Sequence, residues 1–179
     1  MATELEILRV VGDRLAAQNR DFMLTGSFAL AFYATPRMTR DLDFVVALKE
    51  SDVRTLAAAF EADFYIDPEA ALTAIREERM FNLMHLSSGI KVDLIVRKAA
   101  PYRRLEFSRR QAVDLAGIQT WIVSREDLIL SKLVWARDSG SELQLRDVRA
   151  LLEGTTDAAY LRDWAAKLGV GAMLDKVSS

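Results

Sequence analysis

The chain has 179 residues, 51% of them hydrophobic and 28% charged, which is typical of one folded domain rather than of a disordered chain. It has no cysteine, which excludes disulfides, zinc–thiolate sites and thiol catalysis, and its single histidine, His85, argues against a His-based triad or a multi-histidine metal site. The net charge of −2 makes the whole molecule a poor electrostatic attractor for nucleic acid.

The N-terminal segment does not have the pattern of a signal peptide, because acidic residues and arginines interrupt it. No run of about 18 uncharged apolar residues is present, so we expect no transmembrane helix. These features predict a cytoplasmic protein that does not bind membranes.

The first two thirds of the chain alternate between helical and strand-like patterns. Apolar residues at helical spacing predict an amphipathic helix over residues 3–19. Short apolar runs predict strands over 22–25, 41–48, 80–87, 91–97, 112–115 and 118–123. Further helices are predicted over 27–34, 51–63 and 68–78.

From Ser124 onward the strand pattern ends. Ser124 to Asp127 matches a helix-capping sequence, and helices are predicted over 125–138, 142–153 and 157–168. We therefore predict an α/β core with a mixed sheet over residues 1–123. A helical C-terminal subdomain over 124–179 is expected to pack on that core.

Three aspartates on predicted strands are the first candidate functional residues. Asp41 and Asp43 stand two residues apart, so their side chains point to one face of a strand. Their carboxylates repel each other unless a cation lies between them, and oxygen ligands without His or Cys suit Mg²⁺. Asp93 interrupts an apolar strand, where an unpartnered Asp is costly to bury. We expect the three to converge if their strands are neighbours.

A Gly-Ser turn precedes these acids. Gly26 allows a tight connection from a strand to a helix, and Ser27 then lies at the helix N-terminus, where backbone N–H groups favour phosphate. A phosphate cradle that faces carboxylates is what an Mg²⁺-bound nucleoside triphosphate requires. In a purely structural interpretation, the Asp-x-Asp acids would cap a strand and lie at an edge, but this leaves Asp93 unexplained.

The order of these motifs resembles the DNA polymerase β-like nucleotidyltransferase superfamily. The matching residues are Gly26, Ser27, Asp41, Asp43 and Asp93. The phrase TRDLDFVV over residues 39–46 is similar to minimal bacterial nucleotidyltransferases of the AbiEii type, and the resemblance covers about residues 20–153. It implies a nucleotidyltransferase-type mixed sheet flanked by helices. It also implies transfer of a nucleotide from an NTP to an acceptor hydroxyl, with release of pyrophosphate.

The resemblance implies a role for each matching residue. Asp41 and Asp43 would hold Mg²⁺ or Mn²⁺. Asp93 would complete the metal site and help to deprotonate the acceptor. Gly26 and Ser27 would bind the terminal phosphates of the NTP.

The rear of the chain resembles the toxin-like AbiEii branch, in which a helical Lys is followed by an Arg-Asp pair. These positions are Lys132 and Arg146-Asp147. The resemblance implies that Lys132 neutralises charge on the triphosphate, that Arg137 contacts phosphate, and that Asp147 orients one of these cations. Residues 149–151 lack the second acid that is common in this branch. The structural alternatives are a Lys that reaches solvent and an Asp that stabilises a helix N-terminus.

Three further features allow two interpretations each. Residues 97–110 hold several arginines with Tyr102 and Phe107 between them, so they either follow a phosphate backbone or form a solvated face, which is the simpler reading. His85 is expected to be a packed strand residue rather than a base. Arg40 either offsets the repulsion between the acids or meets the acceptor.

The sequence thus favours an Mg²⁺-dependent nucleotidyltransferase that uses an NTP. The resemblance implies an acceptor that is RNA, tRNA or protein, and a toxin-like role with an antitoxin partner; a small-molecule acceptor is a subordinate option. The alternative is a non-catalytic, partner-binding module on a retired nucleotidyltransferase fold. A homodimer through the C-terminal helices stays open.

Overall fold

The computed structural model describes residues 2–35 and 41–178. Its helices are α1 (Glu4–Ala17), α2 (Gly26–Tyr33), α3 (Val53–Phe60), α4 (Pro68–Arg76), α5 (Pro101–Ser108), α6 (Arg125–Ser139), α7 (Glu142–Leu152), α8 (Ala158–Lys167) and α9 (Gly171–Ser178), with a 3₁₀ turn over Glu50–Asp52. Its strands are β1 (Phe22–Thr25), β2 (Leu42–Val46), β3 (Phe64–Tyr65), β4 (Met80–His85), β5 (Lys91–Val96), β6 (Gln111–Leu115) and β7 (Ile118–Ile122).

The strands form one mixed sheet in the order β3-β4-β5-β2-β1-β7-β6. β2 runs parallel to β5 and β1 runs parallel to β7, whereas the other neighbours are antiparallel. The prediction of an α/β fold with a mixed sheet is confirmed. This order places β2, which carries Asp43, beside β5, which carries Asp93. Asp41 immediately precedes β2.

The two faces of the central strands have different surroundings. Leu24, Leu42 and Phe44 point to one face and are fully buried, and α1 covers this face by placing Gly12 against the ring of Phe22. The opposite face carries the polar side chains of the same strands and is covered in part by α6. The sheet therefore has one closed, apolar face and one face that keeps a cavity.

A buried carboxylate joins the C-terminal helices to the part of the chain before residue 124. Asp127, at the start of α6, accepts hydrogen bonds from Ser124 at 2.5 Å, Tyr160 at 2.7 Å, Arg109 at 2.9 Å and Tyr102 at 3.2 Å. These partners lie on or beside α5, α6 and α8. Because a fully buried carboxylate is stable only when it is paired, this cluster fixes the position of α6.

The predicted elements are found near their expected places, with three additions. β3 has only two residues, which is too short to produce a pattern. Helix α5 was not predicted, because Glu106 occupies a buried position on it and breaks the apolar stripe. Helix α9 follows the last predicted helix. The strand predicted over 41–48 begins at Leu42, so that Asp41 precedes it.

Some expectations fall outside this description. Arg40 lies outside the described residues, so the role expected for it stays a prediction. The division of the chain at residue 123 also stays a prediction. Among the described helices, none is long and apolar enough to cross a membrane.

Candidate active site

A row of polar residues crosses the middle of the sheet on its cavity face. The strand register pairs Thr25 of β1 with Asp43 of β2, Asp43 with Asp93 of β5, and Asp93 with Asn82 of β4. Directly paired residues of neighbouring strands share a face, so these four side chains form one line. The sequence predicted that Asp43 and Asp93 would converge if their strands were neighbours, and the register brings them side by side.

Two neighbours engage both oxygens of the Asp93 carboxylate. The side-chain amide of Asn82 donates to Oδ1, and the ammonium of Lys91 lies 3.1 Å from Oδ2. The same ammonium lies 3.8 Å from Oδ2 of Asp41, which is more exposed than Asp93. The hydrogen bond to Asp93 raises the pKa of Lys91, so this residue stays positively charged. Lys91 therefore connects two of the three predicted acids.

Asp43 has a strongly raised pKa. Burial raises its pKa to about 6, with further upward contributions from Asp93 and Asp41. Lys132 and Lys91 oppose this rise but do not cancel it. The surroundings of Asp43 thus destabilise its charged form, as expected for a carboxylate that a bound cation would stabilise.

The turn before α2 is built around Asp43. Gly26 has a φ of +63°, and a Cβ atom at this position would collide with the Asp43 carboxylate. Only glycine combines a favourable positive φ with the absence of a Cβ atom, and this allows the backbone of the turn to lie directly against the acid. Ser27 follows in the first turn of α2 and is buried. Thr25 makes no side-chain hydrogen bond that caps this helix, so its side chain does not occupy the N–H groups of the first turn.

Lys132 reaches this region from α6. It is buried, and its ammonium lies 2.7 Å from Asp147 Oδ2 and 3.0 Å from Gln144 Oε1, both on α7. The sequence predicted that Asp147 orients Lys132 or Arg137, and the ion pair forms with Lys132. Because Lys132 lines the same cavity as Asp43, it brings a positive charge to the acids.

Arg137 lies apart from this group. Its guanidinium contacts Asp138 at 2.7 Å and donates to the carbonyl oxygen of Leu168 at 2.6 Å. It is not one of the residues that line the cavity. The phosphate contact predicted for Arg137 stays a prediction, and this geometry does not support it.

A cavity of about 330 Å³ extends from Asp43 between the sheet and helices α5 and α6. Its size is within the range of small-molecule sites. Its far wall has a second polar cluster, in which Glu106 accepts hydrogen bonds from Ser131 and from Arg103, the latter at 2.8 Å. Burial raises the pKa of Glu106. Trp135, which is about half exposed, stands at the rim.

The basic segment 97–110 makes mostly internal contacts. Arg109 pairs with Asp127 at 2.9 Å, Arg110 pairs with Asp21 at 2.8 Å, and Arg103 pairs with Glu106. The guanidinium of Arg97 stacks on the ring of Phe107. Four of its arginines thus hold the fold together, so the expectation of a solvated face is wrong for them. The alternative, a surface that follows a phosphate backbone, stays a prediction.

His85 packs in the sheet as expected. It is buried, its ring lies 5.0 Å from that of Phe64, and its Nδ1 is 2.7 Å from Ser88 Oγ. The sequence did not single out Lys91 or Asn82. Lys91 was detectable, because it stands two residues before Asp93 and therefore on the same strand face. Asn82 was not, because its position depends on the register of β4.

The carboxylate oxygens of Asp43 and Asp93, on directly paired residues of neighbouring strands, suit a hard divalent cation. No group of three or more His, Cys, Asp or Glu side chains within residues 2–35 and 41–178 is arranged as a finished metal site. Asp41 and Asp93 both contact the ammonium of Lys91. The donor chemistry thus fits Mg²⁺ or Mn²⁺, with rearrangement of the side chains around Asp93.

The fold is that of a nucleotidyltransferase. Residues 12–171 match the family model described as "Nucleotidyl transferase AbiEii toxin, Type IV TA system". The chain belongs to this nucleotidyltransferase family. No curated protein matches it in sequence.

Solved structures share the fold at low sequence identity. The antibiotic-resistance factor ANT(2'')-Ia has a TM-score of 0.59 at 14% identity, over 97% of this chain and 95% of that one. The lincosamide antibiotic adenylyltransferase LnuA has a TM-score of 0.56 at 12% identity, over 86% and 99%. A putative nucleotidyltransferase from Thermotoga maritima has a TM-score of 0.53 at 18% identity, over 79% and 90%.

The buried ion pair yields a first prediction. Lys132→Met leaves Asp147 buried without its cation, so we expect the free energy of unfolding in urea to fall by about 3–5 kcal/mol. Adding Asp147→Asn removes the stranded charge and should recover most of this loss, while nucleotidyl transfer stays absent. Recovery of transfer together with stability would show that Lys132 has only a structural role. Lys167→Met, which breaks an exposed ion pair with Asp163, serves as the control.

The raised pKa of Asp43 yields a second prediction. Because the folded protein raises the pKa of this carboxylate from its ordinary value of 3.8 to about 6, its charged form destabilises the fold at neutral pH. In EDTA at pH 7.5, Asp43→Asn should therefore raise the free energy of unfolding by about 1 to 3 kcal/mol. The gain should be complete above pH 6 and disappear as the pH falls towards 4. A loss of stability at pH 7.5, measured by denaturation in urea, would contradict this account.

Proposed function

We propose that this protein transfers a nucleotide from an NTP to a hydroxyl group of RNA, tRNA or a protein, with Mg²⁺ or Mn²⁺ as the cofactor. The observation that carries the proposal is the register of the sheet, in which Asp43 and Asp93 lie side by side opposite the Gly26 turn. This arrangement places two carboxylates that can bind a cation beside a turn that can bind phosphate.

Asp43 and Asp93 would hold the cation, and Asp41 would join them. Bound there, the cation would neutralise the phosphate oxygens and polarise the reacting phosphorus. The raised pKa of Asp43 supports this assignment, since a bound cation would stabilise the charged carboxylate.

The triphosphate would lie against the start of α2. Backbone N–H groups in the first turn of a helix favour negative charge, and the hydroxyl of Ser27 adds a donor there. Lys132 faces this region from α6, and Asp147 and Gln144 hold its ammonium in place. It would stabilise the charge that develops on the leaving pyrophosphate.

The transfer step needs no covalent bond to the protein. The acceptor oxygen forms a bond to the α-phosphorus, and the bond between that phosphorus and the oxygen bridging to the β-phosphorus breaks. Pyrophosphate leaves with the electron pair of that bond. Asp93 takes the proton of the acceptor hydroxyl, since it is the row's acid nearest the open side of the sheet.

The cavity between the sheet and α6 would hold the nucleoside. Its volume of about 330 Å³ suits a base and a ribose, and Trp135 at the rim offers a surface for stacking. The buried Glu106, together with Arg103 and Ser131, supplies hydrogen-bonding groups at the far wall.

The acceptor would approach from the other side of Asp93. Asn82, Met80 and Met84 of β4 are exposed on this face, so the sheet is open beside the acid. An open approach suits a large acceptor such as RNA, tRNA or a protein. The description of the family as a toxin of a Type IV toxin–antitoxin system supports a toxic activity that an antitoxin partner opposes.

A labelling experiment tests the proposal. The protein is incubated with each α-³²P-labelled NTP in turn, with Mg²⁺ or Mn²⁺, and with total tRNA, a protein lysate or no acceptor. We expect label in one acceptor class, and at least a hundredfold less with Asp43→Asn, because a few kcal/mol of transition-state stabilisation is lost. Asp163→Asn, which alters an exposed acid of α8, should match the wild type.

Each outcome has a clear meaning. Label in RNA or protein that requires Asp43 supports the proposal and identifies the acceptor class. Transfer that Asp43→Asn leaves unchanged, or that persists in EDTA, contradicts it. Failure of every acceptor, together with no thermal shift on addition of Mg²⁺ and NTP, would favour the binding module on a retired fold.

A further inference from the structure

Lys91 lies between two of the acids that are proposed to bind the cation, and the proposed mechanism assigns it no role. Its ammonium is 3.1 Å from Asp93 Oδ2 and 3.8 Å from Asp41 Oδ2. Two carboxylates that share one ammonium are held at a distance that their own repulsion would otherwise increase. In this arrangement Lys91 provides the positive charge that the acids require.

The position of Lys91 follows from the strand. It is the first residue of β5, it stands two residues before Asp93, and it is paired with Met84 of the neighbouring strand. Alternation along the strand therefore sends its side chain to the face that carries the acids. Its side chain is 34% exposed, so the ammonium has access to water on one side.

The two partners of Asp93 differ in how they respond to a cation. Asn82 donates a neutral amide to Oδ1, and a neutral group can keep its hydrogen bond when a cation binds nearby. The ammonium of Lys91 occupies Oδ2, where it repels an incoming cation and competes with it for the same oxygen. Lys91 has a long, flexible stem and open space, so it is the group that can move away.

We propose that Lys91 is a positioning residue whose ammonium takes the place of a divalent cation between Asp41 and Asp93, and which leaves Asp93 when the cation binds. This inference rests on the proposed function, because it requires that the acids bind a divalent cation. It assigns Lys91 two opposing effects. Lys91 stabilises the protein without metal, and it weakens the binding of metal.

The test compares Lys91→Met and Lys91→Arg with the wild type in the absence of nucleotide. The dissociation constant for Mn²⁺ is measured by calorimetry, and the midpoint of thermal unfolding is measured in EDTA and in saturating Mn²⁺. We expect Lys91→Met to bind Mn²⁺ about tenfold more tightly. Its midpoint should fall in EDTA and return to the wild-type value in Mn²⁺. Lys91→Arg keeps the charge and should resemble the wild type.

Two further variants make the comparison specific. Lys91→Gln keeps a hydrogen-bond donor without the charge and should show the same tighter binding, which covers the case in which Lys91→Met does not fold. Lys167→Met removes a paired lysine of α8 away from the acids and should change neither the affinity nor the response to Mn²⁺.

Unchanged or weaker Mn²⁺ binding by the uncharged variants would overturn the inference. A loss of thermal stability that is equal in EDTA and in Mn²⁺ would also overturn it, because it would show an ordinary structural ion pair. If the wild type transfers nucleotide with Mn²⁺ while these results are negative, only this inference fails. If the wild type binds no Mn²⁺ at all, the inference and the proposed cation both fail.

Discussion

The structure depends on the parallel pairing of β2 with β5, which places Asp43 and Asp93 side by side. Burial of the Asp43 carboxylate and, to a smaller extent, its repulsion by Asp93 and Asp41 oppose folding, and together they raise the pKa of Asp43. The protein nevertheless keeps Asp43 and Asp93 at the centre of its sheet. In the proposed function, the groups around Asp43 and Asp93 hold these charges and leave them accessible to a cation and a triphosphate.

The rest of the fold provides this setting. The apolar face of the sheet packs under α1, so that the strands are rigid where they carry the acids. The Asp127 cluster fixes α6, and α6 in turn carries Lys132 over the sheet. Gly26 lets the start of α2 touch Asp43. Three separate parts of the chain thus meet at one point, each held by its own packing or ion pair.

The sequence predicted the acids and the Gly-Ser turn, because both motifs depend on local spacing along strands and turns. It could not predict the partners that arise from distant pairing. Asn82 meets Asp93 only through the register of β4 with β5. Glu106 was overlooked because α5 lacks a regular apolar stripe. Arg137 stands near the motif in sequence, but its helix turns its side chain towards Leu168. Local sequence patterns thus identify candidate functional residues more readily than they identify the contacts that these residues make.

The most direct test of the central claim is a crystal structure with Mn²⁺ and a non-hydrolysable NTP analogue, in which anomalous scattering locates the cation. The account predicts an anomalous peak within about 2.1–2.2 Å of carboxylate oxygens of both Asp43 and Asp93. The triphosphate should lie on the first turn of α2, within reach of Lys132. A cation that does not touch Asp43, or a triphosphate bound away from Gly26 and Ser27, would contradict it.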